Sequence, residues 1–193
     1  MNPRGHTPGR CAVFLDRDGV LNRDTGYVHR QADWEWLPGA RAAVARLNRA
    51  GFAVIVASNQ SGIARGLFDR AAVDRLHAAV DRDLAAAGAR IDGYYLCPHH
   101  PDHGTGRCAC RKPAPGLLLR AAADHGLDLG RCHLVGDRAR DLAAARAAGV
   151  APILVVGPDG AGPDGAGADP APRVASLAAA VDLILAAAAG SRP

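Results

Sequence analysis

The sequence predicts an α/β fold, a Rossmann-like and mostly parallel sheet with helices on both faces. Three observations predict it. Short apolar runs alternate with amphipathic stretches from end to end, the pattern of buried parallel strands joined by crossover helices. The length of 193 residues suits one well-cored domain over residues 1–193 and is too short for two large ones. Apolar residues make up 49% of the chain, yet 42 are alanine and only 8 are aromatic, so the core must come from closely packed helices with small side chains.

The elements follow in order. CAVFL at 11–15 is a buried strand, and 38–50 is a helix opened by Pro38 and closed at Gly51. AVIVA at 53–57 is a second strand. A helix over 69–87 starts at Asp69 and sets Val73, Leu76, His77, Val80 and Leu84 on one face. A strand near 91–96 (IDGYYL) leads into an irregular segment to about residue 113. A helix at 114–125, a strand at 132–135, a helix at 139–148 and a strand at 152–156 complete the alternation. Residues 157–172 (GPDGAGPDGAGADPAP) are a low-complexity stretch expected to be a flexible loop without chemistry. The last helix is expected over 173–189, with Val174, Leu177, Val181 and Ile184 facing the sheet.

Charge narrows the class of partner. The net charge is +4, but the arginines are interleaved with aspartates in no basic run, and few aromatics are present to stack bases, so nucleic acid is not implied. No apolar run reaches the roughly 18 residues that span a bilayer, and MNPRGHTPGR lacks the apolar stretch of a signal peptide. A cytoplasmic protein with no membrane partner is expected. Without a long exposed apolar stripe, so is a monomer. Of 23 cationic side chains one is a lysine, Lys112, which suggests a position where a compact ammonium serves and a planar guanidinium does not.

In open α/β sheets ligands sit beyond the carboxyl ends of the strands, so the residues there carry the chemistry. The first strand is followed by Asp16-Arg17-Asp18-Gly19-Val20. A lone acid pair is more often a turn with solvated carboxylates, but Asp16 follows Leu15 directly, and an acid fixed there can act as nucleophile or bind Mg2+. The second strand is followed by Ser58, Asn59, Gln60, Ser61 and Gly62, which offer hydroxyl and N–H donors to an oxyanion, or form an ordinary polar loop. Arg111-Lys112-Pro113 precedes a helix and can meet anionic oxygens with a fork and a point charge. Gly136-Asp137 and Asp141 follow the fourth strand, where Asp137 can complete a hard-cation site with Asp16.

Together these residues resemble the four motifs of the haloacid dehalogenase-like phosphohydrolases: DRDGV (16–20), SN (58–59), Lys112 and GDxxxD (136–141). The resemblance implies a fold with no large cap domain and a phosphoryl transfer in which Asp16 is the nucleophile and Asp18 the general acid and base. It implies Mg2+ held by Asp16, Asp137 and the backbone carbonyl of Asp18, with Ser58, Asn59 and Lys112 stabilising the transferring group.

A second constellation is Cys97-Pro98-His99 followed by Cys108-Ala109-Cys110. Residues i and i+2 of an extended segment point the same way, so two such pairs can supply the four ligands of a closed, structural zinc site. His100 and His103 are possible substitutes for His99, and three buried cysteines without metal are the bland alternative. Cys11 and Cys132 read as buried apolar residues at strand starts.

A zinc loop (97–110) just before the lysine motif is similar to the branch holding heptose bisphosphate and histidinol-phosphate phosphatases. DTGYVH (24–29), SNQSGIARG (58–66), YYLCPHHP (94–101) and CACRKPAPG (108–116) carry that similarity. It implies removal of the C7 phosphate of D-glycero-D-manno-heptose 1,7-bisphosphate, with histidinol phosphate as the rival substrate. Asp24, Gly26, Tyr27, Asn59, Gln60, Ser61 and Arg111 would bind the phosphorylated sugar, and Arg111 favours a substrate with a second anionic group. The departures are a shorter zinc loop, the 157–172 insert and Arg138 where lysine is frequent. A zinc-ribbon-like binding module is the alternative from another class, but Arg107 is the only cation between Cys97 and Cys110, too few for a phosphate backbone.

Overall fold

The computed structural model describes residues 9–103, 108–156 and 169–190. Its strands are β1 (Ala12–Leu15), β2 (Ala53–Asn59), β3 (Gly93–Cys97), β4 (His133–Gly136), β5 (Ala151–Val155) and β6 (Arg173–Val174). The helices are α1 (Ala40–Arg49), α2 (Arg70–Ala86), α3 (Gly116–His125), α4 (Ala139–Ala147) and α5 (Leu177–Gly190). The strands form one sheet in the order β3-β2-β1-β4-β5-β6, with every pairing parallel. The expected α/β architecture is therefore present.

Alternation along the strands assigns each side chain to a face. Val13, Leu15, Val54, Val56 and Val135 pack against Val44 and Leu47 of α1, Leu76, Val80 and Leu84 of α2, and Leu177, Val181 and Ile184 of α5. Ala12, Phe14, Ala53, Ile55, Ala57 and Leu134 meet Leu117, Leu118 and Ala121 of α3 and Ala145 of α4 on the other side. Small residues at 12, 53, 57, 121 and 145 let the second layer lie close, as the alanine content suggests.

One expected element differs. The final helix begins at Leu177 rather than 173, because Arg173 and Val174 add a short edge strand beside Leu154 and Val155. Ser176 then caps the helix, its Oγ accepting from the Ala179 N–H at 3.2 Å. Helix α2 starts as expected: the Asp69 side chain accepts from the Ala72 N–H at 2.7 Å. Most of the expected 157–172 loop lies outside the described residues.

The connection β1 to β2 to β3 runs outward on one side of β1, and the chain then crosses back to place β4 on its other side. This reversal opens a crevice at the carboxyl ends of β1 and β4. Asp16 and Asp137 are the first residues beyond those two strands.

Candidate active site

Asp16 is fixed before its side chain does anything, because its N–H donates to the Val135 carbonyl at 2.9 Å and so extends the β1–β4 pairing by one residue. A tight turn follows, closed by the N–H of Leu21 to the Arg17 carbonyl (2.8 Å) and of Gly19 to that of Asn22 (2.8 Å). Gly19 has φ +86°, and a Cβ there would lie 2.3 Å from Oδ2 of Asp137. Only glycine lets the two strand ends approach this closely. Gly136 does the same for Asp141, whose Cβ would lie 2.3 Å from an added methyl.

Carboxylate oxygens of Asp16, Asp137 and Asp141 lie within 4.8 Å of one another, and all three residues are buried. Lys112 is buried with them. Its Nζ lies 3.0 Å from Oδ1 of Asp16 and 2.7 Å from Oδ1 of Asp141, and it donates to the Ala57 carbonyl at 2.7 Å. An ammonium has three N–H bonds, and three acceptors surround this one. Burial pushes the Lys112 ammonium down, but Asp141 and Asp16 outweigh it and hold the group above its ordinary value. Asn59 fixes the backbone behind it, accepting from the Lys112 N–H and donating to the Lys112 carbonyl, each at 3.0 Å.

Three buried carboxylates face one buried ammonium, and the half-buried Arg138 guanidinium reaches only Asp137 among them, so the cluster keeps a negative surplus that a divalent cation can offset. Oδ1 of Asp137 is buried without a hydrogen-bond partner among the described residues. Burial, with Asp16 and Asp141 adding repulsion, pushes the Asp137 carboxyl up to about 7. The donor set is all oxygen, the chemistry of a hard cation such as Mg2+.

Asp18 faces the same cavity from a nest of donors. Arg17 approaches both of its oxygens at 2.8 Å, Asn22 Nδ2 donates to Oδ1 at 2.9 Å, and Gln60 Nε2 donates to Oδ2 at 3.1 Å. Gln60 also donates to Oγ of Ser58 at 2.9 Å, joining the ends of β1 and β2. The cavity, of about 370 Å³, is lined by Asp16, Asp18, Asp24, Gly26, Tyr27, Ser58, Asn59, Gln60, Ser61 and Arg111. Every residue expected to bind substrate therefore reaches one space. His100, Arg138 and Arg140 line it too. Arg138 Nε lies 3.1 Å from Oδ2 of Asp137, and its Nη2 lies 3.6 Å from Oδ2 of Asp24.

The cysteine loop closes on itself nearby. Cys110 Sγ lies 3.3 Å from the sulfurs of Cys97 and Cys108 and from Nδ1 of His99, and Cys97 Sγ lies 3.6 Å from Cys108 Sγ and from His99 Nδ1. A tetrahedral site with Zn–S bonds of about 2.3 Å has ligand edges of roughly 3.8 Å, so four ligand atoms already stand almost at the corners. His99 fills the position for which His100 and His103 were possible substitutes. Burial pushes Cys97 up, whereas donors from Cys110 and the Arg111 and Cys110 N–H groups outweigh burial at Cys108 and bring it down to about 6. The loop also reaches the cavity, since the His99 carbonyl accepts from Arg111 Nη1 at 3.0 Å.

Comparison with known proteins decides the family. The D-glycero-beta-D-manno-heptose-1,7-bisphosphate 7-phosphatase of Vibrio cholerae is 45% identical over 149 residues, 75% of this chain and 80% of that one. The chain belongs to the heptose bisphosphate phosphatase branch of the HAD-like hydrolases. The D-glycero-D-manno-heptose-1,7-bisphosphate 7-phosphatase of Thermosynechococcus vestitus is 49% identical over 154 residues, covering 76% of this chain and 79% of its own. Residues 109–180 match the HAD-hydrolase-like family. The crystal structure of D,D-heptose 1,7-bisphosphate phosphatase from Bordetella bronchiseptica, complexed with magnesium and phosphate, superposes with a TM-score of 0.79 at 41% identity over 92% of this chain and 99% of that one.

Within this HAD-like hydrolase, sequence reasoning missed Arg17, Asn22 and Arg140, and named Asp141 only as part of a motif. Its partner Lys112 lies 29 positions away, so no local pattern announces the pair. The acid cluster has a thermodynamic consequence. Asp137 holds a proton up to about pH 7 in the folded protein without metal, whereas the unfolded chain releases it near pH 4. Folding stability without metal therefore falls as pH rises from about 4 to about 7. A divalent cation removes the repulsion and competes with that proton. Thermal unfolding with and without Mg2+ should show a small gain in melting temperature near pH 5 and a larger one near pH 8.

Proposed function

We infer that this HAD-like hydrolase is a Mg2+-dependent phosphatase that removes the C7 phosphate of D-glycero-D-manno-heptose 1,7-bisphosphate through a phosphorylated aspartate. The observation that carries the chemistry is the meeting of Asp16 and Asp18, Lys112 and Asp137 at one crevice, from three separate parts of the chain. The relatives named as heptose bisphosphate phosphatases support the substrate.

Oδ1 of Asp16 is taken by Lys112 and by the Arg17 N–H at 2.7 Å, which leaves Oδ2 to attack phosphorus. The new P–O bond forms in line as the bond to the sugar oxygen breaks, and that oxygen takes a proton from Asp18. Asp18 then accepts a proton from the water that hydrolyses the phospho-aspartate. Lys112 acts in this geometry by holding Asp16 and balancing the buried charge beside it. Asp16, Asp137 and the Asp18 carbonyl would hold Mg2+, which when bound screens the repulsion between Asp16 and the phosphate dianion. Ser58 and the Asn59 N–H are the donors for the transferring group. Asp24, Gly26, Tyr27, Gln60 and Ser61 form the sugar side of the cavity, and Arg111 answers the second phosphate with a fork suited to it.

Phosphate release from the heptose bisphosphate and from histidinol phosphate, measured side by side, tests the substrate. A much higher kcat/KM for the bisphosphate is expected, and a large preference for histidinol phosphate would overturn the reading.

Cys97, His99, Cys108 and Cys110 would hold one structural Zn2+, which fixes a polar loop and, through His99, the position of Arg111. Elemental analysis should find close to one zinc per chain. Stripping it should lower the melting temperature and raise KM more than it lowers kcat; full stability in a metal-free protein would contradict a structural zinc.

A further inference from the structure

Arg17 stands between the two carboxylates of the motif, yet its side chain turns inward and is completely buried, at 0% exposure. Its Nη2 reaches both oxygens of Asp18 at 2.8 Å, Nε lies 3.2 Å from Oδ1, and the guanidinium carbon lies 6.0 Å from the centre of the Trp34 ring. The same Nη2 donates to the Val28 carbonyl at 2.6 Å. Val28 belongs to the 24–29 segment whose Asp24, Gly26 and Tyr27 line the cavity. That segment turns on two consecutive left-handed residues, Gly26 at φ +83° and Tyr27 at φ +53°. One nitrogen thus touches both a reacting carboxylate and the segment that meets the sugar.

As it stands the clamp suits the ionised carboxylate and fixes its orientation. Oδ1 of Asp18 faces Arg17 and Asn22, and Oδ2 faces Arg17 and Gln60. A carboxylic acid carrying its proton on either oxygen would set that O–H against an N–H. To give a proton to the leaving oxygen, Asp18 must withdraw one oxygen from the clamp.

We propose that Arg17 is a positioning residue that ties the orientation of Asp18 to the seating of the 24–29 segment, so that a sugar phosphate settling that segment releases Asp18 toward the leaving oxygen. This rests on the reading of Asp18 as the proton donor. Binding shifts the Val28 carbonyl, the guanidinium follows its acceptor, and one oxygen of Asp18 turns to the substrate. In the step itself an Asp16 oxygen bonds to phosphorus, the bond from phosphorus to the sugar oxygen breaks, and that oxygen keeps the electron pair and receives the Asp18 proton. An ester that leaves without a proton and carries no sugar has no use for the coupling.

The test compares single-turnover phosphoryl transfer from the heptose bisphosphate and from p-nitrophenyl phosphate, whose phenolate departs unprotonated. The variants are Arg17→Met and Arg17→Lys, with Asp18→Asn as reference, and the amplitude of the nitrophenolate burst counts folded, active sites. For Arg17→Met, transfer from the sugar phosphate should slow on the order of 10²-fold per active site while the aryl phosphate burst stays within about threefold of wild type. Arg17→Lys keeps the charge without the fork and should recover part of the loss, and it decides the question alone if Arg17→Met does not fold. Equal slowing of both esters, or no slowing of either, would overturn the proposal. If Asp18→Asn leaves sugar phosphate transfer intact, the donor reading itself fails. If Asp18→Asn discriminates between the esters and the Arg17 variants do not, only the role of Arg17 falls.

Discussion

Replacing Asp16 by asparagine is expected to lower kcat on the order of 10⁴-fold or more while leaving the fold in place. The amide has nearly the shape of the carboxylate but no charge and no competent nucleophilic oxygen, so the covalent route closes. The backbone of residue 16 is held by the Val135 carbonyl and is untouched by the change. Lys112 keeps Asp141 as an ion-pair partner at 2.7 Å. Removing one of three crowded carboxylates also relieves Asp137, whose high value owes part of its rise to Asp16. Melting temperature without metal should therefore hold or increase, the stabilisation by Mg2+ should shrink, and turnover should vanish. Turnover within tenfold of wild type would mean that another group attacks phosphorus.

Substitution of Lys112 should affect both stability and catalysis. Methionine at 112 leaves Asp16 and Asp141 buried without their shared cation, a change that typically costs about 3–5 kcal/mol. A loss of kcat on the order of 10³-fold is expected with it, because the nucleophile loses the charge that orients it. Arginine at 112 is the sharper variant. Three acceptors at 2.7 to 3.0 Å surround a single nitrogen in a fully buried site, and a planar fork spreads its donors over too wide an arc to satisfy them. Lys112→Arg should thus fall close to Lys112→Met in kcat, and denaturant unfolding with steady-state kinetics measures both effects. Near-normal turnover in Lys112→Arg would show that charge alone matters there.

The lone lysine was legible in the sequence because composition isolated it, but what it does was not. A lysine before a helix suggests an anion, and the anions it meets in the fold are Asp16 and Asp141, 96 and 29 positions away. The strands were legible for a related reason: five apolar runs each had a turn signal at both ends. The sixth strand is two residues long and has no period to detect, and Val174 satisfies the spacing of the helix that follows as well as that of a strand. The acids of the cavity could be found because a parallel sheet delivers whatever follows its strands to one edge. The nest around Asp18 could not, since Gln60 arrives from the next strand and Arg17 looks, in sequence, like a spacer between two aspartates. The cysteine loop was the most readable part of the site, because its two i, i+2 pairs carry the geometry locally.

This site is expected to remove one particular phosphate from a sugar bisphosphate. Phosphorus NMR of D-glycero-D-manno-heptose 1,7-bisphosphate, followed in time with the enzyme and Mg2+, tests it most directly. The 7-phosphate resonance should disappear into inorganic phosphate while the 1-phosphate resonance persists in the product. Loss of the 1-phosphate first, or a bisphosphate left unchanged by an enzyme that hydrolyses histidinol phosphate, would contradict the account.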